Sequence, residues 1–241
     1  MEKKYICIDI GGTGIKYGTV SESGEFLSRE IMNTPKTGGA GIMEAILEIT
    51  EKYLALEKYE GVCISTAGMV DTYKGSIFHA ADTIQGYKGM KIRKNVMERF
   101  GIPCEVENDV NCVGLAESKA GAGKGSKSVL CLTIGTGIGG SMVINGEVLH
   151  GNTGSACEVG YLHMPGGAFE KLGAASILTK KVAERKGEPL ENWNGINIFA
   201  SAKAGDEICI DAIDEMCDVL GMGIANICYI INPEAVVGSV K

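Results

Sequence analysis

Two glycine-rich turns carry residue types that could bind phosphate groups. Gly11-Gly12-Thr13-Gly14 follows a short apolar segment containing Asp9, and Gly135-Thr136-Gly137 follows a second apolar segment. Such turns can direct backbone N–H groups at an anion, and the missing side chains let its oxygens approach closely. The two threonines, Thr13 and Thr136, add a hydroxyl donor to each turn. One such turn alone is usually only a tight turn, but two equivalent turns favour phosphate binding.

Neither turn belongs to a standard nucleotide-binding motif. The sequence has no Walker ending of Gly-Lys-Ser/Thr, and Gly121–Ser128 is only a near match. Residues 135–140 fit GxGxxG, and Glu158 follows at a suitable distance, but the dinucleotide motif needs a helix directly after its glycines. Asn145-Gly146 instead predicts a hairpin there. The context therefore excludes a Rossmann nucleotide site.

Charged residues lie close to the first turn. A carboxylate beside bound phosphates is repelled unless a cation lies between them, so Asp9 is a candidate Mg²⁺ ligand, direct or through water. The alternative is an ordinary turn-capping aspartate. Lys16 could neutralise phosphate charge or project into solvent.

Glu107-Asn108-Asp109 occupies a predicted strand-to-helix corner. Asn and Asp are expected helix caps, which would explain these residues without any chemistry. The carboxyl ends of strands, however, are where ligands bind in α/β folds. Asp109 could accept a proton from a substrate hydroxyl, since the amino end of a helix keeps a carboxylate ionised.

A second polar cluster follows at Glu158-Val-Gly-Tyr161-Leu-His163. The Glu158 carboxylate could accept hydrogen bonds from vicinal hydroxyls, as recognition of a polyol requires. The three histidines, at positions 79, 150 and 163, are too scattered to indicate a metal site. On its own, His163 is typical of a partly buried polar residue rather than of a ligand.

A mixed α/β fold must position these residues. Apolar patterns predict strands over 4–10, 15–20, 25–32, 61–65, 103–107, 128–134, 141–144 and 147–150, with another from 234. Apolar residues at helical spacing predict helices over 42–57, 90–100, 109–120, 171–186 and 207–231. The series strand, glycine turn, strand, turn, strand occurs twice. This duplication predicts two similar lobes with a central cleft, an N-terminal lobe over 1–108 and a C-terminal lobe over 109–241.

Composition excludes several classes of protein. The 241 residues are 45% hydrophobic and 22% charged, which suits a globular core and not disorder. The net charge of −7 argues against a nucleic-acid surface. No apolar run is long enough for a membrane span, and Met1–Lys4 does not lead into a signal peptide. The nine cysteines form no CxxC pair, which predicts reduced thiols in a cytoplasmic protein.

Taken together, four motifs resemble the ROK family of sugar kinases within the actin-like ATPase superfamily. They are Asp9–Lys16, Glu107–Asn111, Leu132–Gly140 and Cys157–Gly160, and Ser65–Gly68 fits a family loop near the sugar. The resemblance spans residues 4–238. It implies a duplicated ribonuclease-H-like fold and transfer of phosphate from ATP, with Mg²⁺, to a hexose or β-glucoside, usually at the 6-hydroxyl.

The resemblance also implies a role for each motif residue. Asp109 would be the general base. The sugar would be bound by Gly68, Asn108, Asp109, Glu158, Tyr161 and His163, and the Mg–nucleotide by Asp9, Gly11, Gly12, Thr13, Lys16, Gly135, Thr136 and Gly137.

The chain departs from the family pattern in three places. Residues 165–173 contain no cysteine, so the zinc of many members is not expected. Tyr161 stands where a histidine is common in the family, and zinc-less relatives with Gly-Tyr at the positions of Gly160 and Tyr161 resemble β-glucoside kinases. Glu170 could replace a further sugar-binding glutamate of the family. The chain ends at Lys241, where relatives continue into a glycine-rich nucleotide loop and further helices, which predicts a truncated C-terminal lobe.

Two other functions stay open at this level. One is a sugar-binding fragment without catalysis, and the other is an actin-like ATPase without a sugar acceptor, against which the Glu158 cluster argues. Family repressors carry a helix-turn-helix domain before the first glycine turn, and none fits ahead of residue 11. The expected partners are therefore a small sugar and a second copy in a homodimer, without nucleic acid or membrane.

Overall fold

The computed structural model describes residues 2–80 and 84–240, which form two compact units. Unit 1 contains the residues up to Val113 together with His150–Ser155, and unit 2 contains Gly114–Leu149 and the residues from Ala156 onward. Both units combine helices with a mixed β-sheet.

Unit 1 is built on a five-stranded sheet in the order β3-β2-β1-β4-β7. The first three strands are antiparallel, whereas β4 and β7 run parallel to β1. Its elements are β1 (Lys4–Ile10), β2 (Gly14–Ser21), β3 (Phe26–Asn33), α1 (Gly39–Leu54), β4 (Gly61–Thr66), β5 (Met69–Asp71), β6 (Ser76–His79), α2 (Ile92–Phe100), β7 (Cys104–Asn108) and the start of α3 (Asp109–Lys119).

Side-chain alternation gives the unit 1 sheet two different faces. Ile6, Ile8 and Ile10 are buried in a core shared with Ile42 and Ile46 of α1. The intervening residues of β1 lie on the opposite face, because successive side chains of a strand alternate. Across β1, β4 and β7, Asp9, Ser65 and Glu107 are in register as one row on that opposite face.

Helix α1 begins before the helix that apolar spacing predicts over 42–57. A Cβ on Gly39 would lie 2.3 Å from the backbone oxygen of Gly86, and Gly38 has a φ of +75°. Close backbone approach therefore requires glycine in the first turn. Apolar spacing cannot detect this turn, because glycine has no side chain to contribute to it.

Unit 2 repeats the hairpin-plus-parallel-strand arrangement in a sheet ordered β10-β9-β8-β13. Strand β9 is antiparallel to β8, and β13 is parallel to it. The elements are β8 (Ser128–Ile134), β9 (Ile138–Ile144), β10 (Glu147–Val148), β11 (His163–Met164), β12 (Gly167–Ala168), α4 (Phe169–Gly173), α5 (Ala175–Lys186), α6 (Gly195–Lys203), α7 (Glu207–Ile231) and β13 (Ala235–Val240). The predicted α/β duplication is confirmed.

Several predicted elements of unit 2 have different limits. Strand β9 begins at Ile138, so the second glycine turn is shorter than residues 135–140, and β10 has only two residues. The single helix predicted over 171–186 is two helices, because Ala174 is extended with a ψ of 153°. Phe169 of α4 is fully buried, and a Cβ on Gly223 of α7 would lie 2.3 Å from its ring.

Helix α6 and the two-stranded ladders β5–β6 and β11–β12 were not predicted. Ladder strands of two to four residues are too short to produce a recognisable alternation. Within residues 2–80 and 84–240, no helix combines the length and the hydropathy that crossing a bilayer would require.

Candidate active site

The first glycine turn closes the β1–β2 hairpin in unit 1. The Gly11 N–H donates to the Gly14 oxygen at 3.0 Å, and Thr34 donates twice to the turn, from Oγ1 to the Gly11 oxygen at 2.7 Å and from N–H to the Thr13 oxygen at 3.1 Å. In the described part of the chain, the N–H groups of Gly12 and Thr13 donate to no protein acceptor. Hydrogen bonds within the protein therefore engage the carbonyl oxygens of the turn, whereas the N–H groups of Gly12 and Thr13 can donate to a bound anion.

The second glycine turn, between β8 and β9 in unit 2, is held in the same way. Ser176 donates from N–H to the Gly135 oxygen at 3.3 Å and from Oγ to the Thr136 oxygen at 2.6 Å. Among residues 2–80 and 84–240, no protein acceptor receives the N–H of Thr136 or Gly137. Thr34 and Ser176 thus make equivalent hydrogen bonds to the carbonyl groups of the two turns.

Asp9 precedes the first turn and is held by two neighbours. The Ser65 hydroxyl donates to Asp9 Oδ1 at 2.8 Å, and Lys16, its cross-strand partner, places Nζ 3.7 Å from Oδ2. No group of three His, Cys, Asp or Glu side chains in the described ranges could hold a metal ion. Because Mg²⁺ often binds one or two carboxylates plus substrate phosphates, Asp9 fits a cation that arrives with phosphate.

The corner between β7 and α3 brings three predicted residues together. Asn108 Oδ1 accepts from the backbone N–H groups of Val110 and Asn111, at 2.9 and 3.1 Å, and so caps α3. Its Nδ2 donates to the Gly68 oxygen at 2.9 Å and to Asp109 Oδ1 at 3.1 Å. Gly68 has a φ of +95°, and a Cβ there would lie 2.6 Å from the His79 oxygen. Only glycine fits this position, and its carbonyl orients Asn108.

His150, which no motif of the sequence includes, supports the same corner. Its Nε2 lies 2.6 Å from Glu107 Oε2, while Glu107 Oε1 accepts from the Asn108 N–H at 2.7 Å and from Asn111 Nδ2 at 3.1 Å. The Glu107 carboxylate therefore links His150 to the backbone just before Asp109. The two partners are 43 positions apart in the chain, and no local pattern indicates that they meet.

Thr66 and Tyr87 lie beneath the corner and were also not predicted. Both are buried, and their hydroxyl groups form a hydrogen bond. Burial raises the pKa of Tyr87 to about 12, against the opposing effect of the Thr66 hydrogen bond and with a contribution from the charge of Asp109. This hydrogen bond joins β4 to the segment that precedes α2.

The remaining predicted residues lie in unit 2. Glu158 precedes a 3₁₀ turn over Val159–Tyr161, and its side chain is exposed, like those of Tyr161 and His163. The expected partial burial of His163 is wrong, because β11 forms only a two-residue ladder with one side open to solvent.

Glu170 joins this part of unit 2. A Cβ built on Gly137 would lie 2.6 Å from Glu170 Oε2, and one built on Gly160 would lie 3.3 Å from the same atom. The carboxylate is therefore next to both the second glycine turn and the turn that follows Glu158. Lys171 Nζ lies 3.3 Å from Glu170 Oε1.

Comparisons with known proteins agree on one family. A protein-family model described as the ROK family matches residues 5–240. A glucokinase from Halalkalibacterium halodurans is 31% identical over 264 residues, covering 98% of this chain and 79% of that protein. A β-glucoside kinase from Klebsiella pneumoniae is 31% identical over 242 residues, covering 97% and 80%.

A solved structure extends the comparison to three dimensions. The structure of a ROK family glucokinase from Streptomyces griseus, in complex with glucose and AMPPNP, has a TM-score of 0.82 at 28% identity. The match covers 98% of this chain and 83% of that one.

Proposed function

Because the chain belongs to the ROK family, we propose that it is an ATP-dependent sugar kinase. The observation that carries the proposal is the pair of glycine turns. Each has its carbonyls tied by a hydroxyl-bearing residue, Thr34 or Ser176, and each leaves two amides available to phosphate oxygens. Phosphoryl transfer depends mainly on positioning and charge neutralisation, which suits such rigid backbone donors.

The nucleotide phosphates are assigned to both turns. The residues assigned to them are Gly11, Gly12 and Thr13 of the first turn and Gly135, Thr136 and Gly137 of the second. Asp9 would hold the Mg²⁺ that accompanies ATP, directly or through water, and this ion would neutralise phosphate charge when bound. Lys16 adds a positive charge beside Asp9.

The sugar is assigned to the β7–α3 corner and to the Glu158 region. The residues assigned to the sugar are Asn108, the Gly68 loop, Glu158, Tyr161 and His163, with Glu170 as a further acceptor. Asp109 accepts the proton of the sugar hydroxyl while the oxygen of that hydroxyl bonds to the γ-phosphorus. At the same time the bond between the γ-phosphorus and the leaving oxygen of ADP breaks. His150, through Glu107, is a positioning residue for this corner.

The acceptor is a hexose or a β-glucoside, phosphorylated at the 6-hydroxyl. The relatives named glucokinase and β-glucoside kinase support this range, and Tyr161 in place of the common histidine favours a glycoside. All nine cysteines are free thiols, which suits the reducing cytoplasm that we propose as its location.

A coupled ADP-release assay over hexoses and β-glucosides tests this function. We expect ADP release to require a sugar, and Asp109→Asn to lower turnover by about 10²–10⁴-fold while calorimetry shows sugar binding largely retained. Asp211→Asn, an exposed aspartate on α7, is the matched control and should keep the parent rate.

Three outcomes would contradict the proposed kinase function or the assignment of Asp109 as the general base. ADP release at the same rate without sugar indicates an actin-like ATPase. Sugar binding without nucleotide binding indicates a non-catalytic fragment. Full activity of Asp109→Asn on glucose or cellobiose would show that Asp109 is not the base.

A further inference from the structure

Two thiols lie side by side on the unit 1 sheet, on the face opposite the isoleucine core. Cys7 of β1 and Cys63 of β4 are in-register partners on adjacent parallel strands. The pairing places the two side chains next to each other on the same face of the sheet. Cys63 is exposed and Cys7 is half-buried, so a reagent in solvent reaches Cys63 first.

We propose that Cys7 and Cys63 form a dithiol modification site that reacts with low-molecular-weight disulfides. The Cys63 sulfur attacks one sulfur of the reagent, whose S–S bond breaks and releases the first small thiol. Cys7 then attacks the Cys63 sulfur of this mixed disulfide and releases the second. The protein loses two hydrogens and two electrons as a Cys7–Cys63 disulfide forms, and the reagent is reduced to two thiols.

The strand spacing is close to the one that this bond requires. Neighbouring strands lie about 4.8 Å apart, within the Cα separation of roughly 4.4–6.8 Å that disulfides span. Cβ atoms of a disulfide are closer, at about 3.8 Å, so the strands must approach slightly. Strained or exposed disulfides are the more readily reduced ones, and the modification is therefore reversible.

The exposure of the other thiols indicates which of them could compete with this pair for a reagent. Cys104, Cys131 and Cys209 are buried, whereas Cys217, on α7 in unit 2, is exposed like Cys63. Cys112, on α3 in unit 1, is half-buried. The described residues nevertheless offer no three-ligand group for a metal ion, which favours thiol exchange at the pair over metal binding.

The test treats the full chain with oxidised glutathione, quenches with acid, alkylates the free thiols and maps the peptides by mass spectrometry. We expect a Cys7–Cys63 cross-linked peptide in the wild type that reduction removes. Cys7→Ser should instead accumulate glutathione on Cys63, since the resolving thiol is gone. Cys63→Ser should lose the cross-link, and Cys217→Ser, the control, should retain it.

Phenylarsine oxide, which bridges two thiols with release of water, supplies a second readout without oxidation. The wild type and Cys217→Ser should bind one bridging arsenic at this pair, and both Cys7→Ser and Cys63→Ser should lose it. A stable mixed disulfide on Cys63 in the wild type would overturn the proposal. So would modification of Cys217 with Cys63 left unreacted.

Discussion

At the first glycine turn, Gly12 matters through the space that its missing side chain leaves open. A Cβ built there meets no atom within 4 Å, and the residue's φ lies outside the left-handed region. The protein itself therefore does not require glycine at this position. A ligand whose oxygens approach the Gly12 and Thr13 amides does, because a methyl group would occupy the same space.

Gly12→Ala should therefore separate binding from folding. We expect the free energy of unfolding to change by no more than about 0.5 kcal/mol, and KM for ATP to rise about tenfold, which corresponds to about 1.4 kcal/mol of lost binding. Gly221→Ala on α7 is the matched control, since its Cβ also meets nothing within 4 Å. Steady-state kinetics check both variants, and an unchanged KM in Gly12→Ala would exclude this turn from the phosphate site.

At the scale of elements, the packing of α4 on α7 depends on one glycine. The Phe169 ring is fully buried, and a Cβ on Gly223 would lie 2.3 Å from its Cζ. Gly221, two residues earlier on α7, has no such neighbour. The same substitution at these two positions must therefore have opposite effects on stability.

Gly223→Ala should destabilise the protein by about 1–2 kcal/mol, because overpacking costs about 1–3 kcal/mol and exceeds the helix-propensity gain of up to about 1 kcal/mol. Gly221→Ala should be stabilising, by about 0.5–1 kcal/mol. Urea denaturation of both variants measures the difference. Equal stability of the two would mean that Phe169 does not pack on Gly223 as described.

At the scale of the whole molecule, duplication extends from sheet order to single hydrogen bonds. The β1–β2 hairpin beside β4 has its counterpart in the β8–β9 hairpin beside β13. The hydroxyl groups of Thr34 and Ser176 each donate to a carbonyl of the adjacent glycine turn. If both turns bind the nucleotide, both hydroxyls must contribute to its affinity.

Thr34→Val and Ser176→Ala should each raise KM for ATP about fivefold, since losing one hydrogen bond that orients a turn costs about 1 kcal/mol. The double variant should show the product of the two effects, as expected for independent sites. Thr179→Val is the control, because the Thr179 hydroxyl donates to the Ser176 oxygen within α5. If either single variant keeps the parent KM, that turn does not bind phosphate.

Much of the fold could be predicted because its signals are local. Apolar runs bounded by glycine marked β1, β4 and β8, and the 3.6-residue spacing marked α7 with its limits. The short ladders and the break at Ala174 were missed because too few residues define them. The residue types and order of the motifs likewise indicated the family, which the match over residues 5–240 confirms.

Sequence alone determined the family, the duplicated α/β architecture and the candidate residues, since glycine positions and hydrophobic periodicity are properties of neighbouring residues. Only the tertiary structure decided that Thr34 and Ser176 secure the glycine turns, that His150 reaches Glu107, and that Cys7 pairs with Cys63. These contacts join residues about 23 to 56 positions apart in the chain. They depend on the register of the sheets and on where distant segments of the chain fold back against them. Packing of the whole unit determines both, so no pattern of neighbouring residues indicates these contacts.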